Sequence, residues 1–240
     1  MKTYTYDAIV IGSGAAGFNA AIRLNEFGIN ACIVTENVTF GTSRNTGSDK
    51  QTYYKLGLGG SSPDSVYTMA SNLFDGGCVD GDNALCEAAL SARCFMNLCE
   101  LGVEFPVNRY GEYVGYKTDH DPYARATSAG PLTSKFMTQV LEEKAKKLQI
   151  PIFDGYLAIE ILKNENYVCG LLCLKKDDGE YVAFKTNDIS ITGTILPKVT
   201  EPPFASSIIL KKDSAEERAI ITAALVKLNV FCSIIFPLSY

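Results

Sequence analysis

The chain begins with short apolar runs on either side of a glycine-rich turn and a segment of helical period. In order, these are the β-like run Tyr6–Ile11, the turn Gly12–Gly17, the helix-like segment Phe18–Phe27 and the second apolar run Ala31–Val34. Apolar runs of strand length that flank an amphipathic segment predict a strand–turn–helix–strand unit. We therefore expect the start of the chain to belong to an α/β fold.

Two longer helices are predicted in the middle of the chain. The first covers residues 83–100, with Asp82 as its N-cap and Gly102 as its stop. The second covers residues 131–149 and is capped by Thr133 or Ser134. Residues 107–130, between the two helices, are irregular and rich in tyrosine. We expect the first of these helices to be a scaffold element.

Strand-like runs follow from Pro151 onward. They cover residues 152–153, 157–162, 167–174 and 181–184, with polar turns at 163–166 and 177–180. Turns of that composition between strand-like runs predict an antiparallel β-meander. Residues 189–193 then have the pattern of one more buried strand that ends in a turn.

Composition and charge argue against several classes of partner and location. The 240 residues are 47% hydrophobic, the net charge is −5 and the isoelectric point is about 5.0. No basic cluster is interleaved with aromatic residues, which argues against a nucleic-acid partner. No stretch reaches the roughly 18 apolar residues of a membrane span. The N-terminus, where Asp7 breaks the apolar run, does not resemble a signal peptide, so we expect a cytoplasmic protein.

The eight cysteines and the single histidine do not have the spacing of a metal site. No two cysteines form a CxxC pair, and zinc or iron–sulfur sites need closer, convergent ligands. We interpret the cysteines as reduced thiols used as small buried hydrophobes. His120, between Asp119 and Asp121, has two interpretations: a general acid with a raised pKa or, more commonly, a hydrogen-bonded loop residue. The sequence assigns no catalytic residue.

The glycine-rich turn and the acid that follows the second apolar run have the spacing of a dinucleotide-binding fingerprint. Gly12 permits the sharp turn, Gly14 lets a diphosphate approach the backbone without a clashing Cβ, and Gly17 lets the helix pack on the strand. Glu36 can accept hydrogen bonds from ribose hydroxyls. The alternative is a glycine-rich turn in some other α/β protein. The candidate binding residues are Gly12, Ser13, Gly14, Ala15, Ala16, Gly17, Glu36 and Asn37.

The segment Thr39–Ser48 is rich in small, hydroxylated residues. Their backbone and side chains can donate hydrogen bonds to a phosphate or to a planar heterocycle. The alternative is an ordinary polar loop. Its position directly after the acid favours a binding role. The candidates in it are Thr42, Ser43, Thr46, Gly47 and Ser48.

The order of these motifs resembles the flavoprotein subunit family of succinate dehydrogenase and fumarate reductase, over about residues 4–194. The resemblance implies FAD as cofactor in a glutathione-reductase-type Rossmann domain. The glycines match the family's GxGxAG, Glu36 its ribose acid, and residues 42–48 its Ser-rich segment near the flavin. Residues 101–105 match its helix-end motif. Ala158 lies in the strand whose backbone meets the adenine, and Thr192 and Gly193 lie in the terminal strand.

Three departures from the family limit what the resemblance implies. Arg44 stands where membrane-bound relatives have the histidine that bonds covalently to the flavin, so FAD is expected to be non-covalent. The family's ATGG becomes Ile191–Thr194. No residue matches the family's capping domain or its substrate-binding and proton-donating residues. We therefore expect a truncated FAD-binding domain over residues 1–194 and a divergent tail over residues 195–240.

The sequence leaves more than one function open. The first hypothesis, from the resemblance, is a flavin-dependent oxidoreductase that transfers hydride to or from a small-molecule substrate such as a dicarboxylate or an enoate. The second is a non-catalytic FAD- or nucleotide-binding fragment, inert or completed by a second polypeptide. An NAD-dependent dehydrogenase is a weaker third, because the Ser-rich segment after Glu36 is a flavoprotein feature.

Overall fold

The computed structural model describes residues 1–48, 51–60, 63–77, 79–118, 121–164, 167–186 and 188–191. Contacts divide the chain into two units. The first unit comprises Met1–Asn45 and the described part of Leu141–Ala224. The second unit comprises the described residues of Thr46–Val140. The domain boundary expected at residues 194/195 lies outside the described residues and stays a prediction.

Sixteen elements make up the described chain. They are β1 (Lys2–Thr5), β2 (Ala8–Ile11), α1 (Ala15–Glu26), β3 (Ala31–Thr35), α2 (Thr42–Asn45), β4 (Tyr53–Tyr54), α3 (Val66–Asp75), α4 (Gly81–Glu100), β5 (Tyr116–Thr118), β6 (Asp121–Thr127), α5 (Thr133–Lys147), β7 (Ile152–Asp154), β8 (Tyr156–Asn164), β9 (Tyr167–Lys175), β10 (Tyr181–Lys185) and β11 (Asp188–Ile191).

A parallel four-stranded sheet organises the first unit. Its strand order is β11–β2–β3–β7, and every neighbouring pair is parallel. Every residue of β2 and β3 is buried, which explains why these strands appear in the sequence as continuous apolar runs. Helix α1 connects the two strands, so their carboxyl ends lie side by side at one edge of the sheet.

The second sheet of the first unit contains the predicted meander. Its order is β1–β10–β9–β8, in which β8, β9 and β10 are antiparallel neighbours and β1 runs parallel to β10. Side chains of both sheets share one apolar core, which includes Ile9 and Val34 from the parallel sheet and Leu171 and Phe184 from the meander. Burial of this shared apolar surface holds the two sheets together.

The second unit combines a three-stranded sheet, in the order β4–β6–β5, with helices α3 and α4. The helices pack through Met69, Ala70, Ala84 and Ala88, all of them buried. Small residues at three of these four positions let the helices approach closely. The elements α3, β4, β5 and β6 were not expected from the sequence.

Most of the predicted elements are confirmed, with shifted ends. Helix α1 begins at Ala15, three residues before the expected Phe18. Helix α4 is capped by Asp80 instead of Asp82, because the Asp80 carboxylate accepts hydrogen bonds from the backbone N–H groups of Asp82 and Asn83. Residues 188–191 form a strand, as expected. The expected continuation of that strand through Thr192 and Gly193 lies outside the described residues.

The expectation of buried cysteines is right for only some of them. Cys32 and Cys173 are fully buried, and burial raises the pKa of both thiols. Cys169, in contrast, is exposed, because it points away from the core on strand β9. Within the described part of the chain, no helix has the length and apolar character needed to cross a membrane.

Candidate functional site

The glycine-rich turn lies at the carboxyl edge of the parallel sheet, between β2 and α1. Gly12 has a φ of 105°, a left-handed conformation that favours glycine, and its N–H donates to the Val34 carbonyl at 2.9 Å. The turn is therefore fastened to the end of β3. Ligands of open α/β sheets bind at this edge, where adjacent strands end.

Gly14 is not required by the protein's own packing. Its φ of −78° and ψ of −179° suit any residue. Among the described residues, a Cβ at this position would meet only the Ser43 Oγ, at 3.4 Å. A Cβ would therefore fit here at ordinary contact distance, and the glycine leaves that space beside the backbone to a ligand. This is the space that a diphosphate needs when it approaches the turn closely.

Gly41 has a different reason to be glycine. A Cβ there would lie 3.2 Å from the Cα of Gly14 and 3.4 Å from the Ser13 carbonyl oxygen. The segment after β3 thus packs tightly against the glycine-rich turn, and it brings Ser43 beside Gly14. The structure places Ser43, in the one-turn helix α2, beside Gly14, and a cofactor contact of Thr42 or Ser43 stays a prediction.

The first turn of α1 suits a bound anion. Within the described residues, its N-cap Gly14 makes no side-chain capping bond, and the first turn carries no acidic residue. The backbone N–H groups of Ala15, Ala16 and Gly17 precede the first intrahelical bond, from Phe18 to Gly14. Unpaired donors at the positive end of the helix dipole favour a negatively charged group. The residues present therefore fit the diphosphate of a dinucleotide.

Ser13 has a hydroxyl that faces the protein. The side chain is buried, and its Oγ lies 2.9 Å from the Thr35 Oγ1 and 3.3 Å from the Asn37 carbonyl oxygen. These bonds hold the turn to the end of β3. We therefore predict that Ser13 contacts a cofactor through its backbone.

Glu36 is the first residue after β3 and is exposed. Its Oε1 accepts a hydrogen bond from the Lys176 Nζ at 2.9 Å. Asn37, next in the chain, uses its Oδ1 to accept from the N–H of Thr39 at 2.8 Å, which closes a local turn. The acid thus lies at the end of the second strand of the fingerprint, where the sequence analysis expected it.

The other members of the Ser-rich segment divide between the two units. Arg44 pairs with Glu142 in the first unit, and its Nε is buried without a hydrogen-bond partner in the part of the chain that is described. Thr46, Gly47 and Ser48 belong to the second unit. There the Ser48 N–H donates to the Pro131 carbonyl at 3.0 Å. A flavin contact of Thr46, Gly47 or Ser48 stays a prediction.

Three further candidates have different outcomes. Ala158 lies in β8 as expected, but its side chain is 7% exposed and belongs to the shared core, so only its backbone can meet an adenine. Thr192 and Gly193 lie outside the described residues, as do Asp119 and His120. Their roles stay predictions.

Lys176 and Asp154 contact the loop that follows β3, and the sequence analysis did not single out either side chain. The Asp154 Oδ1 accepts from the Val38 N–H at 2.8 Å, and Lys176 pairs with Glu36 across 140 residues of sequence. Both residues lie at or near turns of the meander region. Local patterns carry no signal for contacts at such sequence separation.

Sequence reasoning also missed the buried charges of the second unit. Arg125 is fully buried and donates to both Asp64 oxygens, at 2.9 and 2.7 Å, and to the Tyr54 hydroxyl. Burial lowers the pKa of Arg125, but the hydrogen bonds that its guanidinium donates to Asp64 and Tyr54 more than offset this effect and raise that pKa. Lys55 is also fully buried, and burial lowers its pKa to about 8.

Comparison with known proteins agrees with this geometry. Residues 7–196 match the family described as the FAD binding domain. The chain is 28% identical over 204 residues to the mitochondrial succinate dehydrogenase (ubiquinone) flavoprotein subunit of Oryza sativa subsp. japonica, across 79% of this chain and 32% of that protein.

Two solved structures share the fold. One is Mycobacterium smegmatis Sdh1 in complex with UQ1, with a TM-score of 0.71 and 19% identity over 80% of this chain and 34% of that chain. The other is an E. coli quinol fumarate reductase FrdA variant, with a TM-score of 0.70 and 18% identity over 80% of this chain and 33% of that chain. The expected Rossmann domain with a meander is thereby confirmed. The chain spans about a third of the length of these relatives.

Proposed function

The chain belongs to the FAD-binding domain family, whose cofactor is FAD, and we propose that it forms the nucleotide-binding part of a flavin-dependent oxidoreductase. The observation that carries this proposal is the glycine-rich turn at Gly14, where a Cβ would meet only the Ser43 Oγ, at 3.4 Å, among the described residues. The uncapped start of α1 lies at the same turn. Both features suit the diphosphate of FAD.

Different residues of the first unit would bind different parts of FAD. The turn Gly12–Gly17 would donate backbone hydrogen bonds to the diphosphate, and Glu36 would accept from the ribose hydroxyls of the adenosine. Arg44, paired with Glu142, offers no nucleophile for a flavin bond, which supports non-covalent binding. The bound flavin would supply hydride transfer, to or from a substrate such as a dicarboxylate or an enoate.

A second candidate function is a FAD-binding part without its own catalytic groups. The observation that favours it is that no residue of this sequence matches the family's substrate-binding or proton-donating residues. In this form the chain would need a second polypeptide to complete the flavin and substrate sites. The cytoplasmic location stays a prediction from the sequence.

The test is a titration of the purified 240-residue chain with FAD, in which binding is measured by the quenching of flavin fluorescence. Gly14→Ala places a methyl group where the diphosphate approaches and should weaken FAD binding by about ten- to hundredfold, the range of overpacking by one methyl group. The matched control is Gly81→Ala in α4, where a Cβ would lie 3.7 Å from the Phe74 ring. Equal affinities in the two variants would contradict the assignment of the diphosphate to Gly14.

A denaturation step tests the non-covalent form. If FAD is bound non-covalently, acid precipitation of the FAD-loaded chain should leave all of the flavin in the supernatant. Flavin that stays with the precipitated protein would contradict the inference from Arg44.

A further inference from the structure

Lys176 contacts both side chains that flank the loop after β3. Its Nζ lies 2.9 Å from the Glu36 Oε1 and 5.8 Å from the centroid of the Phe40 ring. Phe40 is 62% exposed, an unusual exposure for a phenylalanine. The backbone N–H of Lys176 donates to the Gly155 carbonyl at 2.9 Å, which anchors the lysine in the turn after β9.

The same loop is fastened from a second direction. Asp154, at the end of β7, accepts from the N–H of Val38 at 2.8 Å and from the N–H of Gly155 at 3.0 Å. The turn that holds Val38 is therefore also the turn that anchors Lys176. Together these bonds connect the loop 36–40 to two other segments of the first unit.

The ion pair leaves half of the Glu36 carboxylate available. The pair uses Oε1, while Oε2 has no hydrogen-bond partner among the residues that the structure describes. Both side chains are partly exposed, at 44% for Lys176 and 43% for Glu36, so a ligand can reach the pair. A carboxylate has acceptor capacity for several donors, so it can hold a lysine and a ribose hydroxyl together.

We propose that Lys176 is a positioning residue of the nucleotide site, which holds the Glu36 carboxylate and the Phe40 ring in place for the adenosine end of the cofactor. This inference rests on the proposed FAD-binding function. A free glutamate side chain samples several rotamers and loses that freedom when a ligand binds. The lysine removes part of this entropy before binding, so the ligand meets a carboxylate that is already placed.

The first experiment compares the FAD affinities of variants in which a single lysine is substituted. Lys176→Met should weaken FAD binding by roughly three- to fivefold at low salt, the scale of an exposed ion pair. Lys176→Arg keeps a cation in reach of Glu36 and should restore most of the affinity. The matched control is Lys175→Met, because Lys175 pairs with Asp178 in the same turn and its loss changes the net charge equally.

A double-mutant cycle with Glu36 separates positioning from direct contact. If Lys176 acts mainly through Glu36, Lys176→Met should lose most of its effect on FAD affinity in the Glu36→Ala background, where only its contact with the Phe40 ring remains. The effect of Lys176→Met should also fade at about 1 M salt, where screening shortens electrostatic range to about 3 Å.

The outcomes distinguish this inference from the proposed function. If the unchanged chain binds FAD, and Lys176→Met and Lys175→Met bind it with equal affinity, the role of Lys176 is overturned and the proposed function is not. An additive loss in the Glu36→Ala background would also overturn it, because the lysine would then contact the cofactor itself. Failure of the unchanged chain to bind FAD would overturn the proposed function and this inference with it.

Discussion

The two units differ in where they keep their charged side chains. In the described part of the first unit, no charged residue is fully buried, and Glu36 and Lys176 meet at the surface. The second unit buries Lys55 and Arg125, together with the carboxylates that surround Arg125. A charged side chain at the surface can replace water with a ligand at a small cost in free energy, whereas a buried charged side chain needs a partner inside the protein.

This difference separates binding from stability. The first unit leaves backbone donors and one carboxylate oxygen open at the carboxyl edge of a sheet, which suits a ligand that brings its own phosphates and hydroxyls. In the second unit the buried Arg125 is paired inside the protein, where it contacts Asp64, Asp121, Tyr54 and Asn72. Substitutions of charged residues should therefore change ligand affinity in the first unit and the free energy of unfolding in the second.

The largest expected effect is in the second unit. Arg125→Met leaves the Asp64 carboxylate, whose side chain is 2% exposed, buried without its partner. We expect the free energy of unfolding to fall by about 3–5 kcal/mol, as when one member of a buried pair is removed. Denaturant unfolding measures this change. The comparison variant is Arg23→Met, which removes a more exposed pair with Glu26 and should change stability by less than about 1 kcal/mol. Similar losses of unfolding free energy in the two variants would contradict the claim that the buried charges of the second unit determine stability.

The next effect concerns ligand binding by the first unit. Glu36→Ala removes the proposed ribose acceptor and should weaken FAD binding by roughly 1.5–3 kcal/mol, the scale of a charge-assisted hydrogen bond. Its free energy of unfolding should change by less than about 1 kcal/mol, because the pair with Lys176 is exposed. Titration with FAD and denaturant unfolding measure the two quantities. Glu26→Ala, an exposed glutamate on α1, is the control, and an equal affinity loss there would show that only net charge matters.

The smallest effect is a stabilisation. The Lys55 Nζ is buried 4.8 Å from the centroid of the Phe95 ring and has no hydrogen-bond partner within the described residues. Burial lowers the pKa of Lys55 to about 8, from 10.5. Below pH 8 the folded protein must hold a buried ammonium, so Lys55→Met should raise the free energy of unfolding at pH 7 by about 1–2 kcal/mol.

The pH dependence of this prediction has a definite sign. Between about pH 8 and pH 10.5 the folded lysine is neutral while the unfolded one is still charged. The unfolded state then binds more protons, so the stability of the unchanged chain rises with pH relative to Lys55→Met. Denaturant unfolding at pH 7, 9 and 10 measures the difference between the two chains. A difference that grows with pH would contradict a lowered pKa.

The comparison also shows which features the sequence could predict. The strand–turn–helix–strand start and the meander depend on local apolar patterns and turn residues, and both are confirmed. The sequence pattern predicts that helix α1 begins at Phe18, because the small residues 15–17 carry no clear apolar period. In the structure these residues already have helix geometry, and the helix begins at Ala15. The partners Glu36 and Lys176 are 140 residues apart, and no local pattern links them. Arg125 lies in residues 107–130, for which the sequence predicts irregular structure, and its ion pair with Asp64 depends on tertiary packing.

The most direct test of the central claim is the absorbance spectrum of the purified chain after it is mixed with FAD and desalted. We expect the protein to retain flavin bands at about 370 and 450 nm, the absorption of the isoalloxazine ring. We also expect Gly14→Ala to lose these bands and Gly81→Ala to keep them. A colourless protein that folds but retains no flavin would contradict the claim that the turn Gly12–Gly17 and Glu36 form a working nucleotide site.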